Sequence, residues 1–138
     1  MIASRRIRWA CDVCGRPARG PDAYVCVDVR RAFEVWREHD RLDAEWEAEW
    51  RAAHPQGGLK TRSISDFDVY PDLVPWEVVH RACDPNPERD DYWFSLDRCD
   101  TEARLLAWTA HLVDKTWLVW TDWAGLLRRA LTFEGSLL

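Results

Sequence analysis

The fold depends on two short segments, Trp9-Ala-Cys-Asp-Val-Cys-Gly-Arg-Pro17 and, much later in the chain, Trp76-Glu-Val-Val-His-Arg-Ala-Cys83. In the first, two thiols three positions apart precede Gly15, a residue that allows the backbone to curl until its amide N–H groups point at the thiolates. Pro17 prevents a helix from continuing through this turn. His80 and Cys83 repeat the same spacing in the second segment. Each segment therefore gathers two metal-binding side chains in one tight turn.

Structural zinc sites take four nitrogen or sulfur ligands in a tetrahedron, and closely spaced pairs are their usual source. The two pairs therefore predict one structural zinc ion, held by the four side chains Cys11, Cys14, His80 and Cys83. Sixty-five residues separate the two pairs, but the entropy cost of closing a loop grows only logarithmically with its length. Two alternatives stay open: Cys26 replaces one ligand, or the chain simply buries reduced cysteines. Cys99 is expected to be a buried thiol.

The pattern around these segments predicts an α+β fold in which a small zinc-stabilised β finger contains an inserted helix. Ala23–Val29 alternates like a strand with two different faces, and shorter strands are expected at Trp76–His80 and Tyr92–Leu96. Apolar residues then recur at helical spacing along one stripe up to about residue 54. With 138 residues, one domain is expected over 1–138. Its parts are the finger (9–30 and 74–98), the amphipathic helix (31–54), an irregular connection (55–73) and a C-terminal helical part (100–131).

The C-terminal part is expected to contain two helices. Asp100 is a plausible N-cap for the first, and Thr121-Asp122 interrupts the apolar pattern and can cap a separate last helix.

The order C-x-x-C, strand, aromatic-led H-x-x-C resembles a treble-clef finger or the first half of a LIM domain. The resemblance covers residues 9–30 and 74–84. It implies a structural zinc ion and often a protein-binding role, and it names no substrate. A complete LIM domain is excluded, because it needs a second set of four ligands directly afterwards, and beyond Cys83 the sequence offers only Cys99 and His111.

Two kinds of partner are compatible with the sequence, and another protein is preferred to nucleic acid. Tryptophan is enriched at binding hot spots, so Trp46 and Trp50 are candidate contacts for a protein, although most of the ten tryptophans are expected in the core. The net charge of −5 conceals a +4 segment at 1–37, where eight arginines face four acidic residues. Any nucleic-acid contact is thus expected there. The candidate side chains are Arg5, Arg6, Arg8, Arg16 and Arg19.

The sequence also argues against an enzyme and against a membrane protein. A catalytic zinc normally keeps an open coordination position, whereas this set would fill all four. The H-x-E and P-C-x-x-C pattern of zinc deaminases is absent, since Arg81 follows His80 and Ala10 precedes Cys11. No stretch has the apolar length of a membrane span or of a secretory signal. A cytoplasmic location is therefore expected, with reduced cysteines.

Overall fold

The computed structural model describes residues 4–87 and 91–131, and it confirms the α+β class. Three α-helices and two small antiparallel sheets make up the regular structure of these residues. The first sheet is a hairpin of β1 (Trp9–Ala10) and β2 (Pro17–Ala18). The second has the strand order β4-β3-β5 and is formed by β3 (Ala23–Val27), β4 (Glu77–His80) and β5 (Tyr92–Ser95).

The register of the second sheet fixes which side chains face the interior. Val25 at the centre of β3 lies opposite Val78 on one side and Phe94 on the other, and all three are buried in the main core. The same alternation points Tyr24 and Trp93 to the outer face of the sheet. The prediction of three short strands is confirmed, although their ends differ from those that the sequence pattern suggested.

Helix α1 (Val29–Ala53) begins two residues earlier than the apolar stripe indicated. Asp28 caps it, because its carboxylate accepts a hydrogen bond of 3.0 Å from the Arg31 amide. Only Ala32 and Val35, both in its first third, are fully buried. The rest of the helix extends away from the core, and the connection that follows α1 packs along it. We call residues 38–73 the arm.

The C-terminal part contains two helices, as expected, separated by a short 3-10 turn at Leu118–Trp120. Helix α2 (Glu102–Leu112) is capped by Thr101, whose hydroxyl accepts from the Arg104 amide. The expectation that Asp100 is the cap is wrong, since its carboxylate instead pairs with the Arg104 guanidinium at 2.8 Å. Helix α3 (Trp123–Leu131) follows Asp122, whose carboxylate accepts from the Gly125 amide.

An aromatic cluster joins the finger to these helices. Trp76 is 4% exposed, and its ring contacts Trp123 edge-on at a centroid distance of 4.9 Å. The Trp76 indole N–H donates to the Thr121 hydroxyl at 2.9 Å. The members of the cluster are Trp76, Tyr92, Phe94, Trp117 and Trp123. Among the helices of residues 4–87 and 91–131, none is long and apolar enough to cross a membrane.

Candidate metal centre

The first ligand pair lies in the turn of the β1–β2 hairpin. Gly15 has φ +75°, a left-handed conformation that side chains disfavour. This conformation allows the Gly15 amide to donate to the Cys11 carbonyl at 2.9 Å, while the Cys11 amide donates to the Arg16 carbonyl at 2.9 Å. The Val13 amide, inside the turn, lies 3.4 Å from the Cys11 sulfur. The curl expected from the sequence is therefore present, with backbone donors directed at a thiolate.

The second ligand pair lies where β4 ends and a 3-10 turn begins at Arg81. The hairpin turn docks against β4 through a reciprocal pair of hydrogen bonds between Asp12 and Val78. The Asp12 amide donates to the Val78 carbonyl, and the Val78 amide donates to the Asp12 carboxylate, both at 2.7 Å. Arg129 of α3 holds the same carboxylate at 2.7 Å. These contacts bring together two turns that are 65 residues apart in the chain.

The four predicted ligands converge. One donor atom from each side chain lies within 4.8 Å of the other three. The His80 Nδ1 atom is 3.3 Å from the Cys14 sulfur and 3.8 Å from the Cys83 sulfur. A tetrahedral zinc ion with Zn–S of about 2.3 Å and Zn–N of about 2.0 Å places its nitrogen and sulfur ligands about 3.5 Å apart. The two distances bracket that value, and the four residues lie close enough together to hold a metal ion.

The orientation of His80 provides an independent argument. Its Nε2 atom lies 2.9 Å from the Pro17 carbonyl oxygen, so Nε2 carries the proton and donates it there. In the neutral ring, Nδ1, the atom that faces the sulfurs, then has its lone pair available. Metal-binding histidines usually donate their second ring N–H to a carbonyl or carboxylate in this way, which fixes the tautomer.

The electrostatics separate the cysteines of the site. Burial by itself would raise the pKa of Cys11, but backbone hydrogen bonds from Cys14, His80 and Val13 outweigh it and lower that pKa to about 6. Burial and the neighbouring Cys14 and Cys11 raise the pKa of Cys83 to about 11. The pKa of His80 is raised, chiefly by its hydrogen bond to Pro17. The protein alone thus stabilises the thiolate form of Cys11 and disfavours the thiolate form of Cys83. A bound cation would offset the unfavourable negative charge at Cys83.

The site is at the surface, and its four side chains differ in exposure. Cys11 is buried, His80 and Cys83 are half-buried, and Cys14 is exposed. Together the four residues could supply a metal ion with up to four nitrogen and sulfur ligands. A cavity of about 630 Å³ opens at the site, and Cys14, His80 and Cys83 line it together with further residues of the two turns, including Arg16 and Arg81.

The remaining cysteines lie apart from this group. Cys26, the alternative ligand, is 1% exposed in β3 and is not among the four clustered residues. Cys99 is fully buried, as expected, and burial together with Asp100 and Asp97 raises its pKa to about 12.

The two candidate tryptophans of the arm are half-buried, and a cation of the same chain lies over each. The Arg62 guanidinium is 4.1 Å from the centre of the Trp46 ring, and the Lys60 ammonium is 5.8 Å from that of Trp50. Both rings therefore help to hold the connection along α1.

The five candidate arginines divide into two groups. Arg5 forms an ion pair with Glu102 at 2.6 Å. The other four are exposed, and within residues 4–87 and 91–131 no carboxylate pairs with them. Arg6, Arg8 and Arg19 line one groove of about 790 Å³, whereas Arg16 lines the cavity beside the metal ligands.

Three residues that the sequence did not single out lie next to the site. Arg81, Tyr24 and Trp93 line a cavity of about 210 Å³ on the outer face of the second sheet. Trp93 is 56% exposed. The alternation of β5 could have indicated it, because Trp93 takes the opposite phase from the buried Phe94. Asp84, directly after Cys83, is 8% exposed and accepts a hydrogen bond from the Tyr24 hydroxyl.

Comparison of the chain with protein-family models, with curated proteins and with solved structures finds no match. The likeness to a treble-clef finger or to half of a LIM domain thus stays a prediction based on the ligand spacing.

Proposed function

We propose that the chain binds one zinc ion at Cys11, Cys14, His80 and Cys83, and that this ion has a structural role. The observation that carries the proposal is the orientation of His80, whose Nδ1 faces the sulfurs while Nε2 is engaged by Pro17. Three sulfurs and one imidazole nitrogen form a soft tetrahedral set, which favours zinc over hard cations such as magnesium or calcium. The ion would fasten the hairpin turn to the end of β4.

Elemental analysis of the purified full-length protein tests this assignment. We expect one zinc per chain in the wild type, loss of zinc in Cys83→Ser, and full zinc content in Cys26→Ser. The control is matched, because both variants replace one thiol by a hydroxyl and differ only in the position of the residue relative to the cluster. Equal zinc content in all three proteins, or no zinc in the wild type, would contradict the assignment.

We further propose that the arm binds a protein partner. Five large apolar side chains between residues 59 and 73 are exposed, and exposed apolar surface is typical of interaction sites. They are Leu59 (85% exposed), Ile64 (88%), Phe67 (53%), Val69 (64%) and Leu73 (46%). We call these five residues the apolar patch. The contacts of Trp46 with Arg62 and of Trp50 with Lys60 hold the segment that presents it.

The charge of the arm indicates the chemistry of that partner. Residues 38–73 carry nine acidic and four basic side chains, a net charge of −5. Because the whole chain also has a net charge of −5, the rest of it is neutral overall. Complementary potentials speed association and suppress wrong partners. The partner that fits is a protein with an amphipathic basic segment, whose apolar side chains cover the apolar patch.

Pull-down from an extract of the native host, with identification of the captured proteins, tests the role of the arm. We expect a basic protein that is retained by the wild type and lost with Ile64→Ser/Phe67→Ser. The control variant is Leu106→Ser/Val113→Ser, which changes two exposed apolar residues of the α2 region (72% and 61% exposed). Equal retention by both variants would contradict a role for the apolar patch. Reduced thiols at the zinc site agree with the cytoplasm as the location of this interaction.

Nucleic acid is the second candidate partner, and one observation favours it. Five arginines of the helices are paired with carboxylates, as in Arg41 with Glu38 and Glu45. Arg6, Arg8 and Arg19, like Arg30 and Arg37 of α1, have no such partner in the described parts of the chain. Continuing the hairpin register by one position from Trp9 and Ala18 sets Arg8 opposite Arg19. Like charges at facing positions are unfavourable, and an anionic ligand would relieve that repulsion.

Retention on immobilised DNA and RNA, measured as a function of salt, tests this second candidate. We expect an Arg6→Gln/Arg8→Gln/Arg19→Gln variant to elute at lower salt than the wild type. The matched control Arg30→Gln/Arg37→Gln/Arg98→Gln removes the same charge elsewhere and should elute with the wild type. Identical elution of the two variants would mean that retention reflects net charge alone.

A further inference from the structure

The groove of the unpaired arginines does not end at the hairpin. It is bounded by Pro17, which also borders the cavity beside the metal ligands. Arg81 borders that cavity and, in turn, the smaller cavity on the outer face of the second sheet. Three depressions thus adjoin one another through shared lining residues, and we call them together the track. Its cationic residues are Arg6, Arg8, Arg19, Arg16 and Arg81, and the carboxylates of Asp22, Asp97 and Asp100 also line it, which leaves a net charge of +2.

The far end of the track is aromatic. Trp93 projects from β5, one of the two edge strands of the sheet, and is 56% exposed. The Tyr24 ring lies beside it, with centroids 5.7 Å apart and planes inclined at 58°. The Tyr24 hydroxyl donates to the buried carboxylate of Asp84, which fixes the orientation of that ring. One face of a large indole is therefore presented next to a rigid second ring and the Arg81 side chain.

This combination distinguishes among anionic ligands. A cationic groove alone binds any polyanion through counterion release. An exposed aromatic ring beside it adds an affinity for flat bases, because unpaired bases stack on aromatic side chains. In a duplex the faces of the bases are covered by their neighbours, so a duplex can use the arginines but not the Trp93 ring.

We propose that this track binds single-stranded nucleic acid. Arg6, Arg8, Arg19 and Arg81 contact consecutive parts of the phosphate backbone, and an unpaired base enters the 210 Å³ cavity and stacks on Trp93. Tyr24 forms the side wall of that cavity. The inference rests on the nucleic-acid candidate described above and extends it by naming the form of the ligand and the residue that selects it.

Fluorescence anisotropy with the zinc-loaded full chain tests the inference. The probes are fluorescein-labelled 12-nucleotide oligothymidylate and oligouridylate, and a labelled 12-base-pair duplex. We expect both single strands to bind more tightly than the duplex. Trp93→Leu should weaken single-strand binding about 5- to 150-fold, which corresponds to the loss of one stacked base. Trp93→Phe retains an aromatic ring and should recover most of that affinity.

The salt dependence separates the two parts of the track. For single strands, the slope of log K against log salt changes by about 0.7 per phosphate contact. The Arg6→Gln/Arg8→Gln/Arg19→Gln variant should therefore reduce the slope by about 2, whereas Trp93→Leu should leave it unchanged. The Arg30→Gln/Arg37→Gln/Arg98→Gln control should bind like the wild type.

Each contrary outcome has a distinct meaning. If the arginine variant loses affinity while Trp93→Leu binds like the wild type, or if duplex and single strands bind equally, the single-strand inference is overturned and the nucleic-acid candidate stands. If neither single strands nor duplex bind to the wild type at low salt, both are overturned.

Discussion

Truncating Trp76 to alanine tests whether the aromatic cluster joins the finger to the C-terminal helices. Burying one indole removes about 200 Å² of surface from water. At about 25 cal/mol per Å², complete burial contributes about 5 kcal/mol. Trp76 is only 4% exposed and retains nearly all of this contribution. We expect Trp76→Ala to lower the free energy of unfolding by about 4 kcal/mol, within the range for large core truncations.

The lost hydrogen bond adds little to that loss. The Thr121 hydroxyl, which accepts from the Trp76 indole, also donates to the Leu118 carbonyl at 2.7 Å. It therefore keeps a partner in the variant, and no buried polar group is left without one. Most of the expected destabilisation thus comes from the lost burial of the indole.

Trp93→Ala is the matched control, because it makes the same chemical change at an exposed position. Trp93 is 56% exposed, so less than half of its indole surface is removed from water, and that burial contributes about 2 kcal/mol as an upper bound. Urea denaturation followed by far-ultraviolet circular dichroism, with excess zinc and a reductant, measures both variants. Equal destabilisation by the two substitutions would refute the argument. If Trp76→Ala does not fold, Trp76→Leu should fold and still be less stable than Trp93→Leu.

Single contacts support three further predictions. Gly15→Ala should weaken zinc affinity in a competition titration with a chelator dye, because the φ of +75° at position 15 costs an alanine about 1 kcal/mol. Unchanged affinity would argue against the geometry of the hairpin turn. After chelation, the exposed Cys14 should react quickly with Ellman's reagent, whereas Cys26 and Cys99, at 1% and 0% exposure, should react only on unfolding; five fast thiols would contradict their burial. The hydrogen bond from Tyr70, helped by Arg62, lowers the pKa of Asp43, so the ionised carboxylate stabilises the fold fully above its unfolded pKa and loses this effect as pH falls through its folded pKa. Urea midpoints should therefore drop less in Asp43→Asn than in the wild type between about pH 5 and pH 3. Parallel curves of midpoint against pH would exclude this linkage.

Much of the fold could be predicted because it follows from local patterns. The alternation of Val25 and Val27 indicated a strand, and the stripe containing Ala32 and Val35 indicated the long helix. Element ends were less accurate. The N-cap of α2 is Thr101 rather than Asp100. Both neighbouring residue types can cap a helix, and the choice between them depends on the path by which the preceding chain enters α2. Arg6 forms an isolated antiparallel β-bridge with Thr101, and this contact helps to fix the path of the chain into α2.

The four candidate metal ligands could be predicted from the sequence for a similar reason. The two side chains of each pair lie within one turn. Their spacing is therefore a local property that can be recognised in four consecutive residues of the sequence. What spacing could not show is that the two turns meet, since that requires Asp12 to dock on Val78 and Arg129 to hold Asp12 from the last helix. The position of Cys26 in the sequence is equally compatible with a ligand. Its exclusion from the cluster follows from the register of β3.

The amino-acid sequence by itself determined the class of the fold, the two ligand pairs and the basic character of the N-terminal segment, because these depend on residues that are near one another in the chain. Only the tertiary structure decided which of the ten tryptophans are buried and which arginines lack a carboxylate. Trp76 and Trp93 look alike in sequence, yet one is at the centre of the core and the other on the outer face of a sheet. Burial and pairing are set by contacts between distant segments, and no local pattern encodes those contacts.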